Sequence, residues 1–170
     1  MMAWLVAVGL AAAAPVDRVI AVVGDQSQEV VTASDLALEA ALPPGTEAAP
    51  FWRADHGDAL ERLVDATLIR IAAADVALYQ PPPDAVRARA EEVRASFPSD
   101  AAWQAFLDRW GLDAVELAAV LRRRMVVERF LARNLKADPA DADAWLGEMH
   151  ATLAALALRI PVRMVPLEEP

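Results

Sequence analysis

The segment that most constrains the fold runs from Asp113 to Leu135 and reads DAVELAAVLRRRMVVERFLARNL. Apolar side chains recur along it at helical spacing, with Leu117, Leu121 and Met125 on one stripe. Asp113 suits the position before a helix, because its carboxylate can accept hydrogen bonds from the backbone N–H groups of the first turn. The pattern predicts a long amphipathic helix, and other helices must cover its apolar stripe.

Several shorter segments show the same periodicity, separated by proline, glycine and capping residues. Thr32 and Asp35 form a capping-box pattern ahead of the first, and Pro81, Pro82 and Pro83 separate the second from the third. The predicted helices cover residues 34–42, 59–78, 84–97, 100–110, 114–135 and 139–156, and residues 43–57 are expected to form a loop.

β-Branched residues cluster at the two ends of the chain, where helix formers are fewer. Val19, Ala21 and Val23 alternate as in a strand, and Val30–Val31 can return antiparallel to form a hairpin. The alternation through residues 160–164 predicts a closing strand that pairs with the first. We therefore expect a mainly α fold of five to six helices, with a small antiparallel sheet joining the N-terminal hairpin to the C-terminal strand.

Charge and composition narrow the classes of function. The 170 residues are 56% hydrophobic and carry a formal net charge of −9, which favours a folded domain and disfavours general binding to nucleic acid or anionic lipid. The chain contains no cysteine, which excludes disulfides, thiolate catalysis and thiolate-bound metals.

The first fourteen residues are apolar and uncharged apart from the α-amino group, and they end at Pro15. Their number and their alanine-rich end are typical of a secretory signal peptide. The segment is too short to span a membrane. Ala11 and Ala13 fit a small-residue cleavage site, which predicts cleavage after Ala13 and a mature chain of residues 14–170. The alternative is an uncleaved apolar segment of a cytoplasmic protein.

The residue patterns contain no constellation that performs chemistry. His56 and His150 lie far apart and have no second ligand at metal-binding spacing. The sequence also has no nucleophile elbow, phosphate-binding loop or dinucleotide fingerprint. We therefore expect a protein that is not an enzyme and uses no metal or other cofactor.

One stretch imitates a DNA-binding helix-turn-helix: two predicted helices joined at Gly111, with three arginines at 122–124. The start of its second helix carries Asp113 and Glu116, which phosphate would repel. The arginines are expected to form a solvated face, with Glu128 as the i,i+4 partner of Arg124. A DNA-binding regulator is therefore the least favoured hypothesis.

The order of several segments resembles the N-terminal domain of SurA-type periplasmic chaperones, a family that often also carries parvulin peptidyl-prolyl isomerase domains. The matching segments are VDRVIAVVGD, VVTASDL, ALERLVDATLI and WQAFLDRWGLDAVELAAVLRRRMVVERFL, so the resemblance covers most of Val16 to Leu135. The turn at 24–29 is longer than is usual in the family, and residues 43–57 are unusually rich in proline and alanine. The stretch after Leu135 is too short for a parvulin domain, so the resemblance does not imply isomerase activity.

This resemblance implies an exported, ATP-independent chaperone whose partners are unfolded or extended polypeptides, envelope or outer-membrane proteins in particular. An apolar groove between helices would suit that function. The alternative is a non-catalytic accessory subunit docked on a single envelope partner. The candidate peptide-binding residues are Phe51, Trp52, Trp103, Trp110 and Met125. Phe51 and Trp52 lie in the predicted loop, whereas the other three also fit helical core positions.

Overall fold

A computed structural model describes residues 17–26, 28–43, 50–53 and 58–166 of the chain. The predicted signal peptide and His56 lie outside these residues. Within them the chain forms seven helices and three strands. In chain order these are β1 Val19–Val23, β2 Glu29–Thr32, α1 Ala33–Ala41, α2 Pro50–Arg53, α3 Ala59–Ala73, α4 Pro83–Ala95, α5 Asp100–Trp110, α6 Ala114–Asn134, α7 Ala142–Ala157 and β3 Val162–Met164.

The three strands form one antiparallel sheet in the order β2-β1-β3. In β1, Val23 pairs with Glu29 of β2 on one side and with Val162 of β3 on the other. The register shifts between Val19 and Ala21, as at a β-bulge. The mainly α fold, the hairpin and the closing strand are thereby confirmed.

Capping residues set the helix boundaries where the sequence indicates them. Thr32 and Asp35 form a reciprocal capping box at the start of α1, and Asp113 accepts from two backbone N–H groups at the start of α6. Ser99 caps α5, and Gly111 ends it with the left-handed φ of 60° expected of a helix-terminating glycine. These caps confirm the predicted start of α6 and both predicted ends of α5.

Two helix boundaries differ from the prediction by more than two residues. Helix α3 was expected to continue to Leu78, but it ends at Ala73, followed by Ala74 with a positive φ of 43° and by turns. Those turns place Tyr79 against Phe130 of α6, with ring centroids 5.2 Å apart. At the other end of the chain, α7 begins after an Asp141 cap rather than at Pro139.

The buried apolar residues form three clusters. The largest, here called the main core, joins α2, α3, α6 and α7. A second, the α4–α6 cluster, consists of Leu42, Val86, Val93, Leu117, Leu121 and Met125. A third packs the sheet against α3 through Ile20, Ala21, Val23, Val31 and Leu68. Because α6 supplies residues to the first two clusters, it is the central element that its long apolar pattern predicts.

The arginine run on α6 is only partly solvated, which corrects the sequence expectation. Arg124 is 5% exposed, and its Nη2 lies 2.8 Å from Oε2 of Glu39 on α1. Glu128 instead binds Arg89 of α4, with a 2.8 Å Nη1–Oε1 distance. Successive helical residues diverge by about 100°, so three consecutive arginines cannot share one face. The third one points inward.

No helix among the described residues combines the length and the apolar character needed to cross a bilayer.

Candidate functional site

The two aromatic residues expected on an exposed loop are buried. Phe51 is 0% exposed and Trp52 is 9% exposed, and both belong to the main core. Pro50 begins a short helical turn, α2, where a proline is tolerated at the first position. The two rings meet edge to face at 4.6 Å. The two rings do not form an open surface, because α2 turns both into the space beside α3 and α6, and their role in peptide binding stays a prediction.

Met125 is also removed from the surface. It is 9% exposed and belongs to the α4–α6 cluster with Leu117 and Leu121. The structure therefore favours the core interpretation of Met125 over a direct role in peptide binding.

Trp103 and Trp110 occupy a different environment, on the half-buried face of α5. With Phe97 and Phe106 they form a continuous aromatic cluster, here called the α5 aromatic cluster. Phe97 lies 5.1 Å from both Trp103 and Phe106, and Phe106 lies 6.4 Å from Trp110, between ring centroids. Trp103 and Phe106 are nearly parallel, at an interplanar angle of 12°. All four rings are partly exposed.

Helix α5 contains no fully buried residue, although it packs on the α4–α6 cluster. Polar contacts fix its ends: Arg94 forms an ion pair with Asp100 at 2.9 Å, and the guanidinium of Arg109 lies 5.6 Å from the centre of the Trp110 ring. Exposed ion pairs of this kind add little to stability, because water screens them. Helix α5 is thus an outer layer whose aromatic rings are partly exposed to solvent. It packs on the buried residues of the α4–α6 cluster.

A second concave surface runs along β2 and is here called the β2 cleft. It encloses about 190 Å³ between β2, α1, α3 and α6. Its apolar walls include Val30, Leu38, Leu63 and Val120, and the Trp52 ring also lines it. Trp52 is therefore the only one of the five candidate residues that borders a described cavity.

The β2 cleft adjoins a wider, arginine-rich groove of about 360 Å³. Arg70, Arg122 and Arg123 line this groove together with Glu29 and Asp75. The Arg70 guanidinium forms an ion pair with Glu29. The pKa of Arg123 is lowered by desolvation and by the nearby charge of Arg70, although the side chain stays cationic at neutral pH.

The described part of the chain offers little for catalysis or metal binding. It contains no group of three or more metal-ligating side chains, and His150 is exposed. Burial and the charge of Glu61 raise the pKa of Asp65 on α3 to about 6. Asp65 lines neither the β2 cleft nor the arginine-rich groove, so its shift reports on packing within α3.

Sequence reasoning found Trp103 and Trp110 but missed Phe97 and Phe106 as members of the same surface. Phe106 shares the helical stripe of both tryptophans, which was an available signal. Phe97 lies before Pro98 in the turn between α4 and α5, so only the tertiary path of that turn brings its ring into the cluster.

Searches against protein-family models and against curated proteins give no match for this chain.

Proposed function

We propose that this protein is a non-catalytic holding chaperone that binds unfolded or extended polypeptides outside the cytoplasm without using ATP. The observation that carries the proposal is the α5 aromatic cluster, in which three partly exposed rings of a helix without a fully buried residue adjoin one another and the ring of Phe97. The resemblance of the sequence to the N-terminal domain of SurA-type chaperones points to the same function.

The chemistry of this cluster suits weak and unselective binding of polypeptide. Aromatic rings offer large contact areas at low cost in side-chain entropy, because only two torsions must be fixed. Pairing with aromatic side chains of a client contributes about 0.5–1.5 kcal/mol per pair beyond the burial of area. Such contacts need no defined client sequence, which is what holding many unfolded chains requires.

The direct test is suppression of aggregation, followed by light scattering, of an unfolded aromatic-rich client in the presence of EDTA and without nucleotide. We expect the mature protein to suppress scattering in a ratio-dependent manner. The double variant Trp103→Ala/Trp110→Ala should lose most of this activity, because it removes two of the four rings.

The matched control is Leu158→Ser at the end of α7, which removes another exposed apolar side chain. Circular dichroism of each variant shows whether the helices are retained. The proposal is wrong if the native protein does not suppress aggregation, if the folded double variant is fully active, or if Leu158→Ser is equally damaging.

Permanent docking of the same surface on one envelope partner is the competing function, and native purification separates the two. Many clients in less than equimolar amounts support a chaperone, whereas one equimolar partner supports an accessory subunit. Export is tested by the mass of the protein recovered from cell fractions. We expect an exported chain beginning at Ala14. Recovery in the cytoplasm with residues 1–13 intact would instead favour the DNA-binding hypothesis.

A further inference from the structure

The edge of β2 borders the β2 cleft rather than another strand. In the sheet order β2-β1-β3, only one side of β2 is paired with a described strand. Glu29, Val30 and Val31 are consecutive, so their side chains point to alternate faces of the sheet, yet all three line the cleft. The cleft therefore runs along the edge of the strand, where an extended polypeptide can add by backbone hydrogen bonding.

This edge is only partly protected against pairing. At its C-terminal end, the N–H of Thr32 donates to the Asp35 carboxylate at 3.0 Å, which occupies that donor. Val30 is 54% exposed. Natural edge strands are usually shielded by charges, bulges or covering elements, and here the shielding ends beside the β2 cleft, whose lining is both apolar and charged.

The cleft also borders a buried hydrogen-bond donor without an acceptor. Trp52 lines the cleft and is about nine-tenths buried, and its Nε1–H has no hydrogen-bond partner among the described residues. A buried unpaired donor costs about 1–3 kcal/mol. A ligand that brings an acceptor oxygen to the indole would recover part of that cost.

Charge indicates what kind of segment the surface favours. Arg122 and Arg123 line the arginine-rich groove beside the cleft, and neither forms an ion pair with a described residue. Among the carboxylates that line the two cavities, Glu29 is held by Arg70, Glu39 by Arg124 and Asp35 by the N–H of Thr32, which leaves Asp75. Desolvation and then the charge of Arg70 lower the pKa of Arg123, whereas Asp35 and Glu29 raise it. A carboxylate placed between these guanidinium groups would offset their mutual repulsion and accept charge-assisted hydrogen bonds.

We propose that the β2 cleft and the adjoining arginine-rich groove bind an extended acidic segment of a partner polypeptide, which adds to the edge of β2 as a fourth strand. An apolar side chain of the segment enters the cleft, and its carboxylates bind Arg122 and Arg123. The inference deepens the proposed function by adding a second contact with polypeptide. It does not depend on the α5 aromatic cluster, because the two sites share no lining residue.

The test uses a fluorescent peptide of alternating valine and glutamate, its lysine counterpart, and a glutamate peptide with alternate backbone nitrogens methylated. Fluorescence anisotropy gives each Kd. We expect the glutamate peptide to bind the mature protein at least about tenfold more tightly than either of the others, since lost charge-assisted or backbone hydrogen bonds have effects of this size.

The double variant Arg122→Gln/Arg123→Gln should weaken binding of the glutamate peptide about tenfold. The control is Arg87→Gln, which changes an exposed arginine of α4 that lines neither cavity. Both changes leave Trp103 and Trp110 in place, so loss of acidic-peptide binding with intact suppression of aggregation separates this inference from the proposed function.

A spectroscopic readout locates the bound peptide. The indole N–H resonance that disappears in Trp52→Phe identifies Trp52, and peptide should shift that resonance in the native protein. The inference is overturned if the glutamate and lysine peptides bind equally, if backbone methylation has no effect, if Arg87→Gln weakens binding as much as the double variant, or if the Trp52 resonance does not move.

Discussion

The α5 layer and the main core are both rich in aromatic residues, yet they use them in opposite ways. In the main core, Phe51 and Trp145 are almost completely buried and contribute apolar contact. On α5, Trp103, Phe106 and Trp110 stay partly exposed, although the first two pack against the buried α4–α6 cluster. Aromatic content alone therefore does not identify a binding surface. What matters is whether the element carrying the rings is enclosed by others.

The largest expected loss of stability comes from creating a cavity in the main core. Phe51→Ala should lower the free energy of unfolding by about 3–5 kcal/mol, since it removes a fully buried ring and leaves a cavity. Urea denaturation followed by circular dichroism measures this loss. A loss below about 1 kcal/mol would mean that α2 does not seal the core, and the contrast with α5 would fail.

Breaking the buried ion pair that ties α1 to α6 comes next. Arg124→Met should destabilise the protein by about 3 kcal/mol, because it leaves the Glu39 carboxylate, whose side chain is only 11% exposed, without its cation. Converting Glu39 to leucine in the same chain should restore much of the stability, as replacement of a whole buried pair often does. The neighbouring Arg123→Met is the control and should change the free energy of unfolding by less than about 0.5 kcal/mol. Equal losses in Arg124→Met and Arg123→Met would contradict the buried position of Arg124.

A ring of the outer layer should matter less for folding. Phe106→Ala is expected to cost about 1–2 kcal/mol, below the range for fully buried phenylalanine, because the ring is only partly enclosed. The same denaturation experiment compares it directly with Phe51→Ala. A cost equal to that of Phe51→Ala would show that α5 is part of the sealed core and remove the distinction between the two regions.

The smallest effect concerns a polar residue within the packed α3. The pKa of Asp65 is raised from 3.8 to about 6 in the folded protein, so the folded state binds its proton more tightly than the unfolded state. The contribution of Asp65 to the free energy of unfolding is fully present below pH 4 and is lost as the pH rises through 6. Asp65→Asn should therefore stabilise the protein by about 1 kcal/mol at pH 7 and have little effect near pH 4. The same gain at both pH values would contradict the assigned pKa.

Much of the fold could be predicted because its boundaries are set by local chemistry. Thr32, Ser99, Asp113 and Gly111 cap helices through contacts within a few residues, which a linear pattern records. The end of α3 could not be predicted in this way. Its apolar spacing continues to Leu78, and packing of the following turn against α6 decides where the helix stops.

The candidate sites were less predictable because exposure depends on tertiary packing. Phe51 and Trp52 follow a segment rich in proline and alanine, and nothing local shows that α2 folds back into the core. Arg124 belongs to a run of three arginines, but its partner Glu39 lies far away in sequence. The β2 cleft combines β2 with parts of α1, α2, α3 and α6, so no single segment of sequence indicates it.

Hydrogen–deuterium exchange of the mature protein, with and without an unfolded aromatic-rich client, shows which helices contact the client. We expect the client to slow exchange most clearly in α5, the outer layer, while exchange of the buried amides of α3 and α7 stays unchanged. If exchange in α5 is not slowed by the client, the α5 aromatic cluster is not the polypeptide-binding surface. This conclusion holds whether protection is confined to α3 and α7 or is lacking altogether.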